Sequence, residues 1–477
     1  MNEIIGVFGI DDNIEKYITG KLRIEDSGKA FLQLYGAFSE SLHDSFLEIQ
    51  NAIEYKVIKG YGNNGKYYEM LNCVSIGGKS NFSGLIMPEV NYACDFLVEY
   101  KSVEAKNANY VKVTAEIDKL NQWFRANNGW QLECPMNKDP YKLNFSAIRL
   151  WEKSYNNNLM YIGNGFSTNA NENVDFSVTF TYSLGFEFEE EKISTDLINK
   201  HFNNCWDFAN LLSVLINERA KINSFVFSNK DNTMSAKVYS CNISLIKNSI
   251  INAYNRLSMI SFDCIKDNLC ELYENYQIMK EALGGVINIV LDDSIMLKHR
   301  NIDVVDYSKQ TATAIECFMR NMREITIEDN QSVYDERIES VLSSQSEENK
   351  KWLQEKLKYS NNASLRKQLT LLTEEFNENF NELSNGLFSN KKLNKLLIGQ
   401  FVDTRNFYTH YDLATKKNIM ENNMLVYYCD LIKEFLRLIM LKEFGISLNV
   451  IKKASRNNQT IINCKNKILE ILGENND

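Results

Sequence analysis

Residues 365–387 read LRKQLTLLTEEFNENFNELSNGL, with a leucine or phenylalanine recurring every three or four positions. Such spacing forms one apolar stripe along an α-helix, because helical side chains repeat every 3.6 residues. Similar stripes occur in residues 315–322, 393–401 and 425–439. No proline follows Pro140, so no residue in this part removes a backbone donor from a helix. Residues 301–477 are therefore predicted to form an all-α, antiparallel helical bundle.

The first 192 residues have a different pattern, in which β-branched and aromatic runs are bounded by Gly, Asn and Asp. Such runs are typical of strands separated by turns. We therefore predict that residues 1–192 form a β-rich domain, either a sandwich or twisted antiparallel sheets. Residues 193–300 mix helical and strand patterns and are predicted to continue this module. The expected fold class is α+β and multidomain, with the β-rich module preceding the helical bundle.

No motif in the chain indicates a cofactor or a metal. Residues 60–65 match G-x-G-x-x-G, but a dinucleotide site needs a helix directly after its glycines, and a strand-like run follows here. A hairpin turn is the better interpretation. The ten cysteines are scattered without a C-x-x-C pair, and His43, His201 and His299 have no Cys or His at zinc-ligand spacing. We predict neither a cofactor nor a bound metal.

The charge distribution limits the partners that the chain can bind. The net charge is −9; residues 1–300 contain 29 Lys and Arg against 37 Asp and Glu, and the remainder contains 24 against 25. Nucleic acids bind clustered Lys and Arg, so any nucleic acid is expected to bind at a local basic site. The densest apolar run, residues 435–444, is interrupted by charges and is too short to span a membrane. The N-terminus lacks a basic leader, and a cytoplasmic protein without membrane contact is expected.

The motif with the clearest chemical meaning is Arg405-Asn406-x-x-x-His410. It combines a permanent positive charge with a side chain that exchanges a proton near neutral pH, which suits phosphodiester cleavage. On a helix, Asn406 and His410 share one face, whereas Arg405 lies about 140° around the axis from His410. Such a site would close more easily where two copies of the chain meet.

This motif, late in a helical segment, resembles the R-x(4–6)-H motif of HEPN ribonucleases. Its flanks, in residues 311–318, 365–376 and 401–411, resemble the HEPN domain of ApeA-type anti-phage defence proteins. Residues 20–22, 30–36 and 62–73 are similar to the β-rich N-terminal domain of that family. The resemblance covers almost the whole chain.

The resemblance implies a metal-independent endoribonuclease that acts in abortive infection on RNA, with tRNA as a candidate substrate. The ribose 2′-OH would attack the adjacent phosphorus, His410 would transfer the proton, and Arg405 would neutralise the phosphoryl oxygens. Asn406 would orient His410 or the phosphate, and Glu316 would be an auxiliary polar partner from the first bundle helix. HEPN sites form between paired domains, which implies a homodimer or a higher homo-oligomer. The N-terminal domain would sense a phage-derived trigger.

Two other functions remain open at this point. The bundle could be a non-catalytic HEPN scaffold that binds RNA and mediates dimerisation. Alternatively, the chain could be a β-rich ligand sensor whose helical domain transmits a signal. Substitution of Arg405 and His410 distinguishes these functions from the nuclease, since only the nuclease needs both side chains.

Overall fold

In the computed structural model of the chain, the described residues are 2–39, 41–81, 87–124, 130–133, 142–145, 149–156, 158–170, 176–245, 251, 253–291, 303–323, 331–357, 363–384, 387–411 and 416–473. The chain divides into two compact units. Unit 1 consists of Met1–Leu212 and Ala220–Ile251, and unit 2 consists of Ser213–Arg219 and Asn252–Asp477. The segment 193–300 therefore contributes residues to both units.

Unit 1 is built from antiparallel strands, as its β-branched and aromatic runs favour. The strands are β1 Asn2–Gly9, β2 Ile18–Ile24, β3 Ala30–Leu34, β4 Glu54–Gly62, β5 Tyr67–Asn81, β6 Met87–Tyr100, β7 Tyr110–Ile117, β8 Trp130–Glu133, β9 Lys142–Phe145, β10 Arg149–Tyr155, β11 Asn158–Ala170, β12 Phe176–Glu191, β13 Ile222–Ser228 and β14 Ser235–Tyr239. Its helices are α1 Leu42–Gln50, α2 Val103–Asn107, α3 Leu120–Phe124 and α4 Thr195–Ile216, whose last residues belong to unit 2.

Twelve of the described strands form one sheet in the order β10-β11-β12-β7-β13-β14-β6-β3-β2-β1-β4-β5. Because β5 also pairs with β6, the six strands from β6 to β5 in this order form a closed sheet. β8 and β9 pair separately. The predicted β-rich N-terminal region is confirmed, in the form of one continuous antiparallel sheet whose last six strands close into a barrel.

Strand alternation places the core of unit 1 on one face of these strands. In β2, Leu22 and Ile24 are buried while Arg23 between them is exposed, as the two-residue period of a strand requires. One carboxylate lies in this core: Glu48 of α1 is fully buried and accepts hydrogen bonds from the hydroxyls of Tyr55, at 2.7 Å, and Tyr92. These bonds supply the partners that a buried polar group needs.

The G-x-G-x-x-G segment is a hairpin turn, as predicted. β4 ends at Gly62 and β5 begins at Tyr67, and the N–H of Gly62 donates to the carbonyl oxygen of Lys66 at 3.0 Å. Gly65 has a φ of 75°, a conformation that glycine adopts without the steric cost of a side chain. A strand, rather than a helix, follows the glycines.

Unit 2 is helical, which confirms the predicted all-α region after the β-rich module. Its helices are α5 Ala253–Arg256, α6 Leu269–Val290, α7 Val304–Arg323, α8 Gln331–Ser343, α9 Glu347–Leu357, α10 Leu365–Ser384, α11 Lys391–His410, α12 Asn422–Glu443, α13 Leu448–Ser455 and α14 Gln459–Ile471. The apolar stripe predicted in residues 365–387 lies on α10 as far as Ser384, and its last member, Leu387, lies in a turn after the helix. This helix deviates from regular geometry at Phe380 (φ −135°, ψ 38°), whose ring is buried and packs on Phe376 at 5.1 Å between centroids.

Helix α12 forms the centre of unit 2. Almost every residue from 424 to 441 is buried, and the ring of Phe435 stacks on Phe376 of α10 at 3.5 Å between centroids. The buried residues include charges: Arg437 donates to Glu434 at 2.6 Å and to the carbonyl oxygen of Val214 at 2.9 Å. Among the described residues, no helix is both long and apolar enough to cross a membrane.

Candidate functional site

The sequence of α11 determines where this helix begins. The side-chain oxygen of Asn390 accepts hydrogen bonds from the N–H groups of Lys392 and Leu393, at 3.1 and 3.2 Å. These bonds satisfy two of the donors that the first turn of a helix leaves without a partner. Leu393, Leu397 and Phe401 are buried at four-residue intervals, so one face of the helix is fixed against the rest of unit 2.

The motif lies in the last two turns of α11. His410 is the final helical residue, because Tyr411 has a left-handed backbone conformation with a φ of 52°. The N–H of Tyr411 donates to the carbonyl oxygen of Phe407 at 2.6 Å. His410 and Tyr411 are both exposed. The imidazole of His410 is therefore at the open end of the helix.

Among the residues that the structure describes, Arg405 has two side-chain partners in unit 2. Its Nη2 donates to Oε1 of Glu316 on α7 at 3.3 Å, and its Nη1 donates to Oδ1 of Asn406 at 3.2 Å. The side chains of Arg405 and Glu316 are 26% and 27% exposed, and a partly exposed ion pair contributes only about 0.2–1 kcal/mol to stability. Among the described residues, these contacts use two of the five donors of the guanidinium. They orient the group and leave donors for a phosphate.

The structure brings three of the four predicted side chains into contact and leaves the fourth apart. Glu316, Arg405 and Asn406 form a connected set, whereas His410 has no hydrogen bond to any described residue. Arg405 and His410 are separated by about 7.5 Å along the helix axis and about 140° around it. A single copy of α11 therefore directs its arginine towards α7 and its histidine elsewhere.

Neighbouring residues hold this end of α11 on two further sides. Asp403 accepts a hydrogen bond from Asn418 and pairs with Arg366 of α10 at 3.3 Å. The hydroxyl oxygen of the buried Thr404 accepts the N–H of Met420 at 2.7 Å. Together with the contact from Arg405 to α7, these bonds fix the motif against three separate segments. The position of Arg405 is thus determined before any ligand binds.

The other titratable groups that the sequence singled out have different surroundings. His43 is exposed on α1 in unit 1, and His299 lies outside the described residues. His201 is fully buried among aromatic rings, and burial lowers its pKa to about 4. Burial raises the pKa of the Cys73 and Cys429 thiols to about 12. In the described parts of the chain, no three His, Cys, Asp or Glu residues are arranged to hold a metal ion.

Sequence reasoning missed the basic side chains on the first turns of α11 and beside this helix. Arg366 on α10 reaches Asp403, and Lys391 and Lys395 line a cleft between α10 and α11. The signal was present, since residues 391–395 read KKLNK. The pattern alone did not distinguish these lysines from an ordinary solvated helix face.

Two family models match the chain. The model described as ApeA N-terminal domain 1 matches residues 3–276, which is more than half of the chain, and the model described as Apea-like HEPN matches residues 310–450. The second match contains Glu316 and the complete Arg405-to-His410 motif. No curated protein and no solved structure matches the chain.

Proposed function

The chain belongs to the ApeA-type HEPN defence proteins, and from this premise we propose that it is a metal-independent endoribonuclease of anti-phage abortive infection, acting on RNA in the cytoplasm. The observation that carries the proposal is the set of contacts around Arg405. The guanidinium is held by Glu316 and Asn406 on the helix whose exposed end is His410. A fixed cation and an accessible proton carrier are the two groups that phosphodiester cleavage without a metal requires, and one helix carries both.

The proposed reaction is an intramolecular transphosphorylation. The ribose 2′-oxygen loses its proton to an imidazole and attacks the adjacent phosphorus, while the bond from phosphorus to the 5′-oxygen breaks. A protonated imidazole supplies a proton to this leaving oxygen, so the products are a 2′,3′-cyclic phosphate and a 5′-hydroxyl. Charge that develops on the non-bridging oxygens is neutralised by Arg405, whose planar fork can donate two parallel hydrogen bonds.

Glu316 and Asn406 are positioning residues in this mechanism. The carboxylate of Glu316 sets the direction of the guanidinium from the side opposite to the substrate. Asn406 is one residue from Arg405 and one helical turn from His410, so its amide can orient either group. Tyr411, Lys416 and Lys417 follow the motif and are exposed, and the two lysines would attract RNA to this end of α11.

We propose that two copies of the chain form the complete site. Within one copy the arginine and the histidine diverge by about 140°, and a two-fold pairing of identical helices would bring the His410 of a second copy to the same phosphate. One imidazole would then accept the 2′-hydroxyl proton while the other supplies the proton to the 5′-oxygen. Structured RNA such as tRNA is the proposed substrate, and a phage-derived signal received by the N-terminal domain is the proposed trigger.

The test uses cells that express the full chain and are challenged with phage, so that any trigger is present. New RNA ends are sequenced after selection for 5′-hydroxyl termini. Arg405→Ala and His410→Ala should each lower the number of these ends by about 10²-fold or more and abolish protection. His43→Ala and Arg456→Ala, which change exposed residues of the same types away from the motif, should leave both readouts unchanged.

Two results would contradict the proposal. Folded Arg405→Ala or His410→Ala protein that cuts and protects like the wild type would remove the catalytic assignment. A wild type that protects and forms dimers without generating 5′-hydroxyl ends would identify the bundle as a scaffold. The paired site is tested by the mass of the active protein in light scattering, and a monomer that cuts RNA would contradict it.

A further inference from the structure

A cleft of about 430 Å³ lies between α10 and the first half of α11. Arg366, Thr370, Glu374 and Asn377 line it from α10 at intervals of three or four residues, as one helix face requires. Lys391, Asn394, Lys395 and Ile398 line it from α11 in the same way, and Phe388 and Ser389 complete the lining. All of these residues belong to unit 2.

The lining combines an apolar floor with a positively charged rim. The side chains of Phe388 and Ile398 are 5% and 2% exposed, whereas Lys391 and Lys395 are exposed. With Arg366 the rim has three cations against the single carboxylate of Glu374. A nucleobase on an apolar or aromatic surface, with its phosphates held by Lys and Arg, is the usual arrangement in single-strand recognition.

In the described part of the chain, a buried polar atom of Asn394 in the cleft lining has no hydrogen-bond partner. The Nδ2 of Asn394 donates to the hydroxyl oxygen of Thr373 at 3.0 Å, but its Oδ1 is buried without a hydrogen bond to any described residue. A buried acceptor in this state costs about 1–3 kcal/mol. Because this oxygen is covered, the Asn394 amide would have to rotate before a donor on a bound base could satisfy it.

The exposed side of the cleft leads along α11 towards His410. Eleven residues are almost three helical turns, so Lys395 and Asn406 are aligned to within about 20° and are about 16 Å apart along the axis. Gly399 and His410 are aligned in the same way. Arg405 instead lies on the line of Asn394 and the buried Phe401, so a strand that leaves the cleft follows the side of α11 that ends at His410.

Arg366 connects the cleft with the motif. It lines the cleft, and its Nη2 reaches Asp403 at 3.3 Å, two residues before Arg405. The side chain of Arg366 passes over Gly399 to reach Asp403. A Cβ atom at position 399 would lie only 3.3 Å from Nη1 of Arg366, which is closer than most Cβ contacts in proteins. Lys391, Lys395 and the head of Arg366 beside Gly399 thus follow one another at roughly one helical turn, about 6 Å.

We infer that this cleft and the row of cations formed by Lys391, Lys395 and Arg366 bind a single-stranded segment of the RNA substrate, with one base in the cleft. The inference rests on the proposed function. The base in the cleft is a few nucleotides from the bond that is cut. Arg366 holds a phosphate between the cleft and the reacting group.

The test measures binding separately from cleavage. Full-length His410→Ala protein is titrated against a fluorescent single-stranded RNA of twelve nucleotides, and anisotropy is recorded at several salt concentrations. Adding Lys391→Gln and Lys395→Gln should weaken binding about tenfold and lower the salt slope by about 1.4, since each lost phosphate contact lowers the slope by about 0.7. Adding Lys452→Gln and Lys453→Gln on α13 makes the same change in net charge and should leave the affinity unchanged.

The outcomes separate this inference from the proposed function. If the cleft variant binds RNA with unchanged affinity and slope while cleavage in cells still depends on Arg405 and His410, the cleft is not on the RNA path. If the variant loses only binding of a mononucleotide such as AMP, the cleft is a site for a free nucleotide and the inference is wrong. The absence of saturable RNA binding by the His410→Ala protein also overturns it. If cleavage is independent of Arg405 and His410, the proposed function itself fails.

Discussion

Acidification should destabilise unit 1 through one histidine. His201 of α4 is fully buried, and its ring stacks on Phe188 at 4.4 Å between centroids, with Phe186 and Phe227 also adjacent. Neither ring nitrogen has a hydrogen bond to any described residue. Burial, followed by the charge of Lys200, lowers the pKa of the imidazole to about 4. The folded protein therefore holds His201 in its neutral form.

The sign and size of the effect follow from the two pKa values. The pKa of His201 is lower in the folded than in the unfolded chain, so the unfolded chain takes up a proton first as the pH falls. Stability is thus fully present above pH 6.5 and is lost between about pH 6.5 and 4. Between pH 7 and 5, a folded pKa of about 4 against an unfolded value of about 6.5 gives a loss of about 2 kcal/mol.

Tryptophan fluorescence during urea unfolding measures this loss in unit 1. Most tryptophans belong to this unit, and the exception is Trp352; those in unit 1 are Trp123, Trp130, Trp151 and Trp206. The free energy of unfolding should fall by about 2 kcal/mol more in the wild type than in His201→Leu between pH 7 and 5. His43→Leu, which changes an exposed histidine of the same unit, should retain the wild-type dependence. Equal losses in the wild type and His201→Leu would refute the reasoning.

Two further substitutions test the packing inside each unit separately. Arg437→Met should destabilise unit 2 by about 3–5 kcal/mol in thermal or urea unfolding, because it leaves the buried carboxylate of Glu434 without its cation. Lys467→Met, which removes an exposed ion pair, is the control. A loss in Arg437→Met no larger than the loss in this control would contradict the prediction. Gly28→Ala should destabilise unit 1 more than Gly65→Ala. Both glycines have a positive φ that costs alanine about 1–2 kcal/mol, but only at Gly28 would the Cβ collide with backbone carbonyl oxygens of described residues. Similar losses in urea unfolding would show that this collision is relieved without cost.

The fold class could be predicted from local patterns, whereas the arrangement of the strands could not. The three-or-four spacing in residues 365–387 predicts a helix because the helical period depends only on the backbone. The pairing of β5 with β6, which closes six strands, leaves no such signature. Strand pairing is a choice among distant segments with similar alternation. The same limit left open whether the β-rich domain would be a sandwich or a twisted sheet.

For the candidate site, the amino-acid sequence by itself determined the residue types, their spacing on one helix and the resemblance to ApeA-type HEPN proteins, which the family matches bear out. Only the tertiary structure decided that Arg405 contacts Glu316, 89 residues earlier in the chain, and that Arg366 crosses Gly399 to reach Asp403. The physical reason is one of range. Helical periodicity and capping depend on neighbours within a few residues, but the partner of a long charged side chain depends on which helix packs against it, and that is set by the burial of apolar faces throughout unit 2.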